Sequence, residues 1–301
     1  MRIETAHEYT TYPRQFDGYR WYKPLLVGVL FIFFDFVIGS ISIDMLTKVL
    51  FGRFIGYTGY DGMDFYTAPG AFNNAASAAA AIPCLLLAVL IVRDRPFSSY
   101  FSSMGGWRWR VFLKTFAAGL LIVGIPVAVS CLREGNTGNI RFTVGGFIIL
   151  TLLAPFQGVA EELIFRGYIM QTVSSWFRLP VAGFIVQIIV FSAVHPYNVI
   201  GVINIAIAAL MYGLICVFTK GLEAGSVLHI INNMVSIYMA GFGFGAITTE
   251  QTVQDLVSEN AVKIVFFLFI LFADKKLLWF DEVKCDDVGK YNAKMKNRTN
   301  L

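Results

Sequence analysis

The sequence predicts an all-α membrane protein, a polytopic bundle of about eight transmembrane helices. Three observations predict it. Of the 301 residues, 56% are hydrophobic and only 15% are charged, whereas about a quarter of a soluble domain is charged. The mean hydropathy is +0.64. Several apolar runs approach the ~20 residues that cross a bilayer as a helix. These runs are long and continuous rather than alternating, so they do not suit the strands of a membrane barrel. The net charge of +4 is modest, and no nucleic-acid partner is expected.

The elements follow in order. The first 23 residues, "MRIETAHEYTTYPRQFDGYRWYK", are polar and aromatic. They lack the layout of a signal peptide and are expected to stay on the mature chain. Eight apolar segments come next, near 24–43, 72–92, 111–131, 143–162, 181–195, 199–218, 224–242 and 261–273. The fifth is too short to cross alone unless its helix runs past the apolar residues. Asp35, inside the first, is costly in lipid and is expected to face protein or water. The loop after the second segment carries Arg93, Arg95, Arg108, Arg110 and Lys114, and the tail after the eighth is rich in lysine. Cytoplasmic loops are enriched in Lys and Arg. Eight spans put both regions, the N-terminus and a linker carrying Arg166 and Arg178 on that side. The expected organisation is a cytoplasmic segment 1–23, N-terminal helices 24–142, a catalytic core 143–242, an external loop and last helix 243–273, and a charged cytoplasmic tail 274–301. The cysteines at 84, 131, 216 and 285 show no metal-type spacing and are expected to act as small hydrophobes.

Polar residues inside such runs mark candidate sites. Three clusters stand out: "EELIFR" with Glu161, Glu162 and Arg166; "FSAVH" with Phe191 and His195; and "HIINN" with His229, Asn232 and Asn233. Adjacent residues on a helix differ by about 100° in direction, so Glu161 and Glu162 face different ways. Glu162 and Arg166, four apart, share a face. His229 and Asn233 share another, and Phe191 sits one turn before His195. A carboxylate can take a proton from water, and histidine can orient that water. Histidine and asparagine can donate to an oxyanion. The set Glu161, His195 and His229 also has the ligand types of zinc, although the HExxH pattern is absent. Taken singly, each cluster reads as well as structure: an ion pair, an interhelical donor, a packing amide.

In this order the motifs resemble the EExxxR, FxxxH and HxxxN signature of the CAAX-protease and bacteriocin-processing (CPBP, or Abi) intramembrane protease family, which includes the type II CAAX prenyl proteases. The resemblance covers roughly 145 to 240. It implies an eight-helix peptidase that hydrolyses a peptide bond near the cytoplasmic face. It assigns Glu161 as general base assisted by His195, His229 and Asn233 as oxyanion donors, and Glu162, Arg166 and Phe191 as supporting residues. It leaves open whether a metal takes part; a metal-free reaction is the expectation, with zinc on Glu161, His195 and His229 the alternative. The implied partners are the bilayer and a peptide or membrane-protein substrate, lipidated or not; the chain's size and lack of organelle signals set the expected location as a bacterial cell membrane. A non-catalytic scaffold, a bacteriocin-immunity protein and a proton-coupled transporter are the competing functions. Two features strain the assignment. Pro196 biases His195 away from helical geometry, and linear counting places His195 and His229 at different depths.

Overall fold

The computed structural model describes residues 8–52, 63–136, 138–244, 248–280 and 287–299. His7 and Cys285 lie outside them. Each of the eight apolar segments forms a helix. They are α1 (Lys23–Phe51), α2 (Ala68–Val92), α3 (Trp109–Arg133), α4 (Val144–Phe177), α5 (Pro180–Ala193), α6 (Val199–Thr219), α7 (Glu223–Gly241) and α8 (Val253–Leu277). A further helix, α9 (Asp287–Thr299), lies in the polar tail. Among the described residues there are no strands, only isolated bridges such as Ser102 with Gly221. Among the described residues six helices are long and apolar enough to cross a membrane, and the chain is an integral membrane protein. The other two differ for physical reasons. α5 begins at Pro180, suited to a first helical turn, and stops before the His195–Pro196 pair, so it has only 14 residues. α7 carries His229, Asn232 and Asn233. It is buried from Glu223 through Ile231, so neighbouring helices cover Glu223 and His229, while Asn232 and Asn233 line a cavity.

Connectivity gives the bundle two ends. α1, α3, α5 and α7 start at one end, and α2, α4, α6 and α8 finish there. Hydrogen bonds among its loops and helix ends bind it together: Trp176 Nε1 donates to Trp21 O (2.7 Å), and Ser103 N to Lys220 O (3.0 Å). We call this the basic end. At the opposite, distal end Thr143 N donates to Tyr66 O (3.1 Å) and Asn198 N to Thr249 O (3.1 Å).

Buried ions tie the basic end to the helices. The Arg108 guanidinium grips Glu223 with two donors, Nε to Oε1 (3.0 Å) and Nη2 to Oε2 (2.7 Å). Arg95 reaches Gln171 Oε1 and Gly167 O (3.0 Å), and it lies 3.5 Å from the Tyr100 ring centroid. Its neighbour Asp94, buried in the same loop, has its carboxyl pushed up by desolvation against the pull of Arg95. Two of the five cations counted toward a basic loop are thus buried, while Arg93 and Arg110 are exposed.

The fourth apolar run ends at 162, but its helix does not. α4 widens to π geometry over Leu163–Met170 and continues to Phe177. Arg166 is therefore fully buried inside a span, not in a cytoplasmic linker. This extension also reconciles the depths. Glu161 lies about 24 Å back from Phe177 along α4, and His195 about 22 Å along the chain from Pro180, at 1.5 Å per residue. The two antiparallel neighbours bring both side chains to one height. They approach closely at Gly183, where a Cβ would stand 2.1 Å from Ser174 Oγ and 2.3 Å from Met170 O. α1 also has a π stretch, Asp35–Ser42. In it Asp35 is half-buried beside Gly39, which faces Ser77 of α2.

Candidate active site

Glu161 and Glu162 part company. Glu162 is fully buried. Its Oε1 accepts from Arg166 Nη1 (3.1 Å) and from His229 Nδ1 (2.9 Å). Arg166 donates onward from Nη2 to Ala209 O (3.2 Å). Its guanidinium lies 4.5 Å from the Phe191 ring centroid and 5.1 Å from that of Tyr212. A buried charge in this position needs partners to offset desolvation, and both ions have them. Glu161 instead keeps 21% of its side chain exposed and lines a cavity of about 510 Å3. Its Oε1 accepts from Gln157 Nε2 (3.0 Å).

The His229 ring lies between the two carboxylates. Nδ1 faces Glu162, and Nε2 stands 3.5 Å from Glu161 Oε2. Tyr212 of α6 stacks on the ring, with centroids 5.0 Å apart and planes 13° from parallel. A carboxylate on Nδ1 holds the proton there and turns Nε2 toward the cavity, the orienting device of a catalytic histidine. His195 is held differently. It follows the last turn of α5 in non-helical backbone, as Pro196 requires. Its Nδ1 donates to Phe191 O (2.6 Å). The ring packs on Phe191 at 4.6 Å and stacks on Tyr197 at 6.2 Å. With Nδ1 donating, Nε2 is left as the acceptor. Asn233, one turn beyond His229, lines the same cavity, and its Oδ1 accepts from Asn232 Nδ2 (3.4 Å).

Glu161, Phe191, His195, His229 and Asn233 therefore all line one cavity, while Glu162 and Arg166 lie outside its lining. The ring beside Glu161 is that of His229; His195 shares the cavity wall. The sequence reading missed several lining or supporting groups. Gln157 had a signal, being four residues before Glu161 on the same face. Tyr212 had none, since it is one aromatic in an apolar helix. Cys131, expected to be a buried hydrophobe, lines the cavity, whereas Cys84 and Cys216 are buried. The far wall is a polar network. Lys263 Nζ donates to Glu259 Oε2 (3.0 Å) and Asn204 Oδ1 (3.3 Å), and Asn204 Nδ2 donates to Gln251 Oε1 (2.8 Å) and Glu259 Oε2 (2.8 Å). Its charged members, 259 and 263, straddle the start of the eighth apolar segment.

A bound zinc needs at least three convergent donors. Among the described residues no group of three His, Cys, Asp or Glu is placed to hold a metal ion.

Comparison with known proteins bears out the family resemblance. Residues 143–235 match the family described as type II CAAX prenyl endopeptidase Rce1-like. The chain is also 26% identical over 217 residues to an uncharacterized protein, YyaK, of Bacillus subtilis (strain 168), covering 65% of this chain and 73% of that one. No solved structure matches. At the level of the family, the match is to a membrane protease of the CAAX type.

Proposed function

We propose that the chain is an intramembrane endopeptidase in which water, activated by Glu161, attacks a peptide carbonyl. The observation that supports this reading is the division of the two acids: Glu161 shares a cavity with His195, His229 and Asn233, while Glu162 is committed to Arg166 and His229. The Glu161 carboxylate takes a proton from water as the oxygen attacks, and His195 Nε2 orients that water by accepting its other hydrogen. The carbonyl oxygen becomes an oxyanion, stabilised by Asn233 Nδ2 and, when the ring carries both protons, by His229 Nε2. Glu161 then gives its proton to the departing amine as the C–N bond breaks, and it returns to the carboxylate form. Glu162 and Arg166 position His229 and the helix. No metal is required by this sequence of steps.

Purified protein in detergent should cleave members of a pool of quenched fluorogenic peptides, and Glu161→Gln should lower that turnover by about two to four orders of magnitude. A scaffold, an immunity protein or a transporter would cleave nothing.

A further inference from the structure

The cavity has a direction. Its floor is buried: Phe191, Tyr212 and His229, with Glu161 partly open above them. Its rim is formed by Thr248, Asp255 and Ser258, of which Thr248 and Ser258 are exposed. These rim residues belong to the α7–α8 connection and the first turns of α8, all at the distal end. Among the described residues, none from the connections at the basic end (93–108, 178–179, 220–222) lines the cavity. The exposed or half-exposed cations are distributed the other way. Arg93, Arg110, Arg178, Lys220, Lys275 and Lys276 sit at the basic end. Among the described residues the distal end has Lys48, Arg133 and Arg141, and the approach to α8 and its first turns carry Glu250, Asp255 and Glu259. Lys and Arg bias sets orientation, and acids contribute little to it. The basic end is therefore the cytoplasmic one, and the mouth of the cavity is on the other side.

We infer that the cavity opens to the extracytoplasmic side, and that its substrate is a polypeptide segment presented there: a translocated chain, or the outer flank of a membrane span. This rests on the peptidase reading above and narrows its substrate class. It differs from the cytoplasmic-face cleavage that the family resemblance implies. A prenylated cytoplasmic C-terminus would have to enter from the wrong end of the bundle.

The test maps accessibility separately from turnover. Thr248→Cys, Ser258→Cys and Lys294→Cys are made in the full chain with its native cysteines changed to alanine. Intact cells are treated with a membrane-impermeant maleimide. The expected result is labelling of Thr248→Cys and Ser258→Cys in intact cells, and of Lys294→Cys only after permeabilisation. Lys294 lies on α9, whose Asn292 accepts from Asp17 N at the basic end (2.8 Å). Labelling of Lys294→Cys in intact cells, with the other two protected until permeabilisation, overturns the inference. The same labelling is repeated on Glu161→Gln, where the pattern should be unchanged. Outside labelling with no peptide turnover by the purified protein would sink the peptidase reading and leave the access side standing. Turnover together with labelling of the rim only after permeabilisation would do the reverse.

Discussion

At the scale of residues, the two adjacent acids do opposite work. A helix separates neighbouring side chains by about 100°, so one carboxylate reaches the cavity and the other the ion pair. Glu161→Gln keeps the shape and a polar group beside Gln157 but removes the proposed base. Turnover should fall by about two to four orders of magnitude, the usual worth of general-base catalysis, with yield and thermal unfolding near those of the parent. Glu162→Gln leaves Arg166 buried against a neutral partner. Loss of one member of a buried pair costs about 3–5 kcal/mol, so lower yield, lower unfolding temperature and lower turnover should appear together. Arg166→Ala should resemble it, and the double substitution should cost less than the two singles summed, because both break one interaction. An active, well-folded Glu161→Gln beside an inactive, well-folded Glu162→Gln would exchange the two roles. Tyr212→Ala removes the stack that holds the His229 ring. Loss of such an outer contact is typically worth about 10–100-fold at metal sites. A drop of that order in kcat with little change in KM is expected, and Tyr212→Phe should restore most of it.

At the scale of elements, the site depends on how α5 meets α4. The π stretch of α4 and the short α5 form an antiparallel pair, and Gly183 lets them touch. Gly183→Ala would drive a Cβ into Met170 O and Ser174 Oγ at 2.3 and 2.1 Å. Crowding of this kind costs about 1–3 kcal/mol, and here it would also move the helix that ends at His195. Turnover should therefore fall more than stability does, as read by activity per folded molecule in parallel with thermal unfolding. The start of α7 depends on a different contact. Arg108→Ala leaves Glu223 buried without its cation. By the same reasoning as for Glu162 it should lower stability by about 3–5 kcal/mol, while Arg110→Ala, at an exposed position, should change it by no more than about 0.5 kcal/mol.

At the scale of the whole molecule, the proposed metal-free hydrolysis has a direct consequence. Purified protein should contain less than one equivalent of zinc, and its turnover should survive chelation. Stoichiometric zinc, with activity lost on chelation and recovered on adding zinc back, would make Glu161, His195 and His229 ligands instead. The fold also explains why a chain this apolar tolerates so many charges. Arg95, Arg108, Glu162, Arg166, Glu223 and Lys263 are all buried, and each has a partner of opposite charge within 4 Å. Unpaired, they would be expensive in a bilayer.

The sequence by itself determined the class, the eight helical segments, the three polar clusters and the separation of Glu161 from Glu162. Apolar run length and helical spacing are local properties, so they survive in one dimension. What only the tertiary structure decided is everything that depends on helices meeting. Apolar runs alone do not show that α4 continues past its acids, because the 15 residues after Glu162 include Arg166 and Gln171, which read as a linker until neighbouring helices bury them. That continuation brings His195 level with Glu161. Tyr212 under His229, the wall around Lys263 and the end at which the cavity opens come from α6 and α8. No spacing in the sequence says which face of those helices turns inward, because their partners are distant in the chain.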